Sequence, residues 1–138
     1  GGRVTTIECS TTKVNLARHN FQSSGLGDRI VLVHGDADRV LARAHDGACD
    51  FIFLDADRAR YSRWWPHVKR LLRPGGLLVA DNAISHAHDM AAWMDQVRSD
   101  SEFTASVVPI GSGELLAVKA RRSGREWSGP GVARRVMT

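Results

Sequence analysis

Four short apolar runs, each closing on an acidic residue and each followed by a stretch with helical spacing, constrain this chain more than any other feature of its sequence. Residues 4–7 run into Glu8, RIVLVH at 29–34 into Gly35-Asp36, DFIFL at 50–54 into Asp55, and residues 77–80 into Asp81. Between them, Ser10-Thr11-Thr12 offers a helix N-cap, and Val14, Leu16, Ala17 and Phe21 follow at helical spacing up to Gly25. Residues 38–45 place Val40, Leu41 and Ala44 on one side before Gly47. Residues 61–72 do the same with Trp64, Trp65, Val68, Leu71 and Leu72 before Pro74-Gly75-Gly76. Residues 89–98 form a last such stretch, with Met90, Trp93, Met94 and Val97 inward.

The order strand, helix, repeated four times, predicts an α/β fold. Near-continuous apolar strands belong to parallel sheets covered by helices on both faces. The end of the chain differs. Residues 103–109 and 114–119 flank Ile110-Gly111-Ser112-Gly113, a hairpin signal that makes the last two strands antiparallel. Residues 1–119 therefore read as one Rossmann-like domain, mostly parallel with a carboxyl-terminal antiparallel hairpin. Residues 120–138, rich in Gly, Ser and Arg, read as a basic flexible tail that the fold does not need.

In an open α/β sheet, ligands bind beyond the carboxyl ends of the strands. Carboxylates gathered there repel one another unless a cation or a hydroxyl-rich ligand joins them. One such acid is ordinarily a turn or N-cap residue; four in register point to a site. An acid placed as Glu8 is suits the two hydroxyls of a ribose, and Asp36-Ala37 lies where an adenine amino group can be read. Asp55, Asp81 and Asn82 follow the two remaining strands. Two carboxylates and one amide oxygen suit a hard cation such as Mg²⁺, with positions left for water and substrate.

The segments TTIE, FIFLDADRARY, LLRPGGLLVADNA and VPIGSGELLAVK resemble the catechol and caffeoyl-CoA O-methyltransferases, especially the bacterial members, over residues 1–119. The resemblance implies a Rossmann-like methyltransferase fold and S-adenosyl-L-methionine as cofactor. It also implies a divalent cation, Mg²⁺ foremost, and a small aromatic or hydroxyl-bearing substrate. Glu8 would bind the cofactor ribose, and Asp36 and Ala37 would border the adenine. Asp55, Asp81 and Asn82 would ligate the metal, while Asp57 and Trp64 match cofactor-contacting positions and His86 a substrate-contacting one. Two departures stand out. The family's usual lysine is Arg58 here, which stays protonated and cannot act as a base. It can steady an oxyanion, and His86 is the candidate replacement base by residue type. The family's first strand and glycine-rich loop would precede Gly1. That strand lies between those at residues 4–7 and 51–54, so the chain without it is expected to be oligomeric or marginally stable. Gly111-Ser112-Gly113 is a hairpin turn, not a substitute for that loop.

Composition narrows the alternatives. The net charge of +4 lies in residues 120–138, where five arginines face Glu126, and the preceding residues balance. A neutral body with a basic tail argues against a nucleic-acid face. No apolar run approaches the roughly 20 residues that cross a bilayer. Cys9 and Cys49 read as reduced thiols of a cytoplasmic protein. Two other readings compete with the enzyme: a non-catalytic or truncated module of the same fold, and another Rossmann-like nucleotide-binding enzyme such as a dehydrogenase. The absent glycine loop weighs against independent catalysis and against the dehydrogenase alike, and the set Asp55, Asp81 and Asn82 favours the methyltransferase lineage over the dehydrogenase.

Overall fold

The computed structural model describes residues 2–121 and 136–137. The apolar runs become β1 (Val4–Glu8), β2 (Ile30–His34), β3 (Cys49–Leu54) and β4 (Leu72–Ala80), and the hairpin becomes β5 (Phe103–Val108) and β6 (Glu114–Lys119). The helices are α1 (Thr11–Ser23), α2 (Ala37–Arg43), α3 (Tyr61–Leu71) and α4 (Ala87–Ser99). A two-residue strand, β7 (Val136–Met137), completes a seven-stranded sheet of order β2-β1-β7-β3-β4-β6-β5. Pairing is parallel from β2 to β4; β6 runs antiparallel to both β4 and β5. The fold class read from the sequence is therefore observed.

One face of the sheet carries the core. Ile52 and Leu54 of β3, Leu78 and Ala80 of β4, and Leu115 and Ala117 of β6 pack with Leu41 of α2, Trp64, Trp65, Val68 and Leu71 of α3, and Met90, Trp93, Met94 and Val97 of α4. Tyr61 joins them, its ring edge-on to Trp93 at a centroid distance of 5.0 Å. Complete cover on the second face does not hold. There α1 packs over β1 and β2, while Phe51, Phe53, Leu77, Val79 and Leu116 are half-buried and Val118 is 46% exposed. The register explains this. Phe51 pairs with Leu77, and Leu77 with Val118, so these side chains share the face that α2, α3 and α4 do not cover.

Two boundaries differ from the sequence reading. β4 begins at Leu72 directly after α3, so Pro74-Gly75-Gly76 lies inside the strand. Gly75 has φ +80° and the pairing with β3 shifts register between Cys49 and Phe51, so the apparent turn is an irregularity in the ladder. The second difference lies at the centre of the sheet. β1 and β3 are separated, as the resemblance implied, but the strand between them is β7 from the far end of the chain. The segment read as a flexible tail thus includes two sheet residues, Val136 and Met137; residues 122–135 and 138 of that segment lie outside the described residues.

Candidate functional site

The ends of the parallel strands are level with one another because backbone bonds tie them. Gly35 N–H donates to Glu8 O at 3.0 Å, and Asp81 N–H to Leu54 O at 3.1 Å. Glu8, Asp55 and Asp81 therefore emerge on one edge of the sheet. Between β1 and β3, beyond the short β7, opens a cleft of about 260 Å³ lined by Thr6, Ile7, Glu8 and Leu32, by Lys13 and Ala17 of α1, and by Phe53 and Asp55. This is below the roughly 300–1,000 Å³ of pockets that enclose a drug-sized ligand, so the cleft takes in a part of such a molecule.

Glu8 is half-buried, and its Oε1 accepts the Ser10 N–H at 2.7 Å. That bond, helped by the Lys13 charge, outweighs desolvation and holds the carboxyl below its usual range. Asp36 caps α2, with Oδ1 accepting from Asp38 N–H at 2.8 Å and Oδ2 accepting from Arg60 at 3.1 Å. The backbone bond and Arg60 lower its pKa. Ala37 is the first residue of α2. Both oxygens of Asp36 are thus engaged within the protein. Asp38, which the sequence reading passed over, is a hub. Its carboxylate accepts from Arg60 at 3.1 Å and from Trp64 Nε1 at 2.8 Å, and pairs with Arg63. Trp64 is 4% exposed in the core, with its indole N–H turned to Asp38.

The loop from β3 to α3 carries Asp55, Asp57 and Arg58. Tyr61 anchors it: the hydroxyl accepts the Ala56 N–H at 2.9 Å, and burial pushes the phenol pKa up. Asp57 is exposed and accepts from Ala59 N–H at 3.2 Å, as a cap of the following turn. Arg58 reaches across to β4, where its Nη2 donates to Asn82 Oδ1 at 2.9 Å, while its buried Nε has no hydrogen-bond partner. Asn82 adopts φ +68°, a left-handed conformation that asparagine tolerates better than most residues. The hairpin turn holds this loop. Ser112 O accepts from Ile84 and Ser85 N–H, and Gly113 O from Ala83 N–H. At Gly113, with φ +90°, a Cβ would lie 2.4 Å from Ile84 Cγ1, so the close approach requires glycine. Gly111 and Gly113 lie in the hairpin turn with φ +57° and +90°, as the sequence suggested. His86 precedes α4 and lies within reach of Ser85 Oγ, at 3.0 Å from Nδ1.

Glu114 is a candidate site residue that the sequence reading missed. Ala80 pairs with Leu115, so the next residue on each strand, Asp81 and Glu114, meet at the same edge. Burial, then the Asp81 and Asp55 carboxylates, push the Glu114 pKa up, and its buried Oε2 has no hydrogen-bond partner. A lone acid opening an otherwise apolar antiparallel strand beside a strand-end acid was the available signal. Asp55, Asp81 and Glu114 thus share a negative field that meets the Arg58–Asn82 pair. Among the described residues, no group of three or more His, Cys, Asp or Glu is arranged to hold a metal ion. Asp55, Asp81 and Asn82 supply oxygen donors of the kind a hard cation takes, with Asn82 Oδ1 accepting from Arg58 in this structure. No described helix is long and apolar enough to cross a membrane.

Comparison with known proteins gives a consistent result. Residues 1–120 match the O-methyltransferase family model. A protein of Mycobacterium tuberculosis named a probable O-methyltransferase is 34% identical over 131 residues, covering 86% of this chain and 58% of the relative. The chain thus spans less than two thirds of that relative. The O-methyltransferase of Bacillus cereus in complex with SAH superposes with a TM-score of 0.75 at 24% identity, covering 85% of this chain and 62% of that one. The O-methyltransferase TomG of Streptomyces achromogenes, solved with SAM, gives 0.74 at 21% identity, covering 86% and 62%. These two likenesses establish the fold.

Proposed function

Because the chain belongs to the O-methyltransferase family, we propose that it builds the cofactor- and metal-facing side of an S-adenosylmethionine-dependent methyl transfer to a hydroxyl of a small aromatic vicinal diol. The observation that carries the reading is the convergence of Glu8, Asp55, Asp81 and Glu114 on one sheet edge, where Arg58 and Asn82 of the adjoining loops hydrogen-bond to each other. S-adenosylmethionine held there would supply a methyl group activated on a sulfonium, with sulfur keeping the electron pair as the methyl passes to the substrate oxygen. A divalent cation held by Asp55, Asp81 and Asn82 would lower the hydroxyl pKa and align the oxygen.

On this reading Glu8, ionised and held by Ser10, accepts the ribose hydroxyls, and Ala37 borders the adenine. Asp36 orients α2 through its N-cap bond, since both its oxygens are engaged. Asp57 shapes the loop that presents Asp55 and Arg58. Trp64 acts from the core by fixing Asp38, which the Arg60 bridge joins to Asp36. Arg58 steadies the developing oxyanion, and His86 takes the hydroxyl proton. The reading predicts that chain, S-adenosylmethionine, Mg²⁺ and a catechol-type diol give a monomethylated product by mass spectrometry, and that EDTA or Asp81→Ala abolishes it. Absence of product with all components at millimolar concentration would remove catalysis from this chain. One observation favours a second reading, a module of the same fold without turnover: the cleft is too small to enclose a whole cofactor. Under that reading S-adenosylhomocysteine binds weakly or not at all, and no product forms.

A further inference from the structure

The strand at the centre of the sheet is the part of this fold that the family match leaves out. The match ends at residue 120, whereas β7 is Val136–Met137. Its backbone pairs on both sides: Val136 with Val4 and Phe51, and Met137 with Thr5 and Ile52. β1 and β3 do not pair with each other. Without β7 the ladder would fall into two pieces, β2-β1 and β3-β4-β6-β5, each presenting an unpaired strand edge to the other. Parallel neighbours lie roughly 4.8 Å apart, so one intervening strand sets β1 and β3 about 9.6 Å from each other.

That spacing reaches the candidate site directly. The residues after the paired ones, Thr6 on β1 and Phe53 on β3, line the cleft, and Glu8 and Asp55 follow two residues later on each side. The end of β7 thus stands at the base of the cleft, and the width of the cleft is the width of the strand below it. We propose that Val136–Met137 is the sheet-closing strand of this chain, inserted between β1 and β3, and that it positions Glu8 and Asp55 for the cofactor. The carboxyl-terminal segment is then a positioning element of the site, although it supplies no group to the chemistry. Its role in binding rests on the cofactor reading above; its role in the sheet does not.

Two measurements test this. In the first, the full chain is compared with a chain ending at Arg121 and with Val136→Pro, which removes a backbone donor from the centre of the ladder. The expected result for both variants is a melting temperature lower by on the order of 5 °C or more and S-adenosylhomocysteine affinity weaker by about tenfold or more. In the second, Thr5→Cys and Met137→Cys are combined in a Cys9→Ser background and oxidised. Neighbouring strands fall within the span a disulfide bridges, so peptide mapping should find the link within one chain. Equal melting of full and shortened chains, with no link above the single-cysteine controls, overturns the proposal. A link found only between two copies overturns insertion in cis and assigns the slot to a second molecule. A lower melting temperature with unchanged affinity refutes the coupling to the cleft. If the full chain binds no S-adenosylhomocysteine, the cofactor reading and the coupling both fall, and the link and the melts still decide the strand.

Discussion

Replacing Glu8 with glutamine keeps the shape of the side chain and removes its charge, which separates the role the structure shows for it from the one proposed for it. In the free protein, Glu8 Oε1 accepts the Ser10 N–H at 2.7 Å, and Ser10 is the N-cap of α1. A hydrogen bond to a charged acceptor contributes about 1.5–3 kcal/mol and one to a neutral acceptor about 0.5–1.5 kcal/mol. The amide still accepts this bond, and solvent screens the half-buried site, so the loss in stability should be about 0.5–1 kcal/mol. Thermal melting would register this as a drop of about 2–6 °C. The pH dependence has a definite sign. The folded carboxyl titrates below its ordinary value of 4.5 because of the Ser10 bond, so its stabilisation is present above that value and is lost as pH falls through the lower folded one. Glu8→Gln should flatten that acid limb. Ligand binding is the proposed role. Losing a charged partner for the ribose should cost about 1–3 kcal/mol, a factor of about 5–150 in S-adenosylhomocysteine affinity by calorimetry. Affinity equal to that of the unchanged protein would refute the assignment of Glu8 to the cofactor, even if the predicted melting change appears.

Two further substitutions probe the frame that holds the site. Lys119 Nζ donates to Lys69 O at 2.7 Å and Leu72 O at 3.0 Å, satisfying carbonyls where α3 passes into β4; Lys119→Met should cost about 1–3 kcal/mol in a urea melt, and an unchanged midpoint would show those carbonyls to be solvated. Gly113→Ala meets both a left-handed backbone and Ile84 Cγ1 at 2.4 Å, so it should destabilise by about 2 kcal/mol or more and broaden the amide signals of residues 82–85, whereas spectra and melting like those of the parent would contradict the close approach.

The strand-end acids were legible because a sequence states them locally: an apolar run stops, and the residue that stops it is Glu8, Asp36, Asp55 or Asp81. The helices were equally open, since Val14, Trp65, Val68, Met90 and Trp93 recur at helical spacing and are all buried. What the sequence did not disclose was register. Pro74-Gly75-Gly76 carries the composition of a turn, yet it runs inside β4 because β3 offers backbone partners on both sides of the irregularity. Glu114 looked like the first residue of a hairpin strand. It becomes a site residue only when the β4–β6 pairing sets it beside Asp81. Asp38 looked like a helix-start acid and proves to be the acceptor for Trp64 and two arginines.

The centre of the sheet shows why such failures have a common cause. A segment of Gly, Ser and Arg has little to bury, and by composition residues 120–138 have no reason to order. Val136–Met137 pair because β1 and β3 both present backbone donors and acceptors that must find partners or water. That demand comes from the rest of the fold and is invisible in the segment that meets it. The same asymmetry governs the site. Glu8 and Asp55 can each be named from a few neighbouring residues, but their separation is fixed by a strand drawn from the opposite end of the chain. Substitutions at the acids therefore report on chemistry, whereas substitutions in β7 report on whether the two halves of the sheet stand where that chemistry requires them.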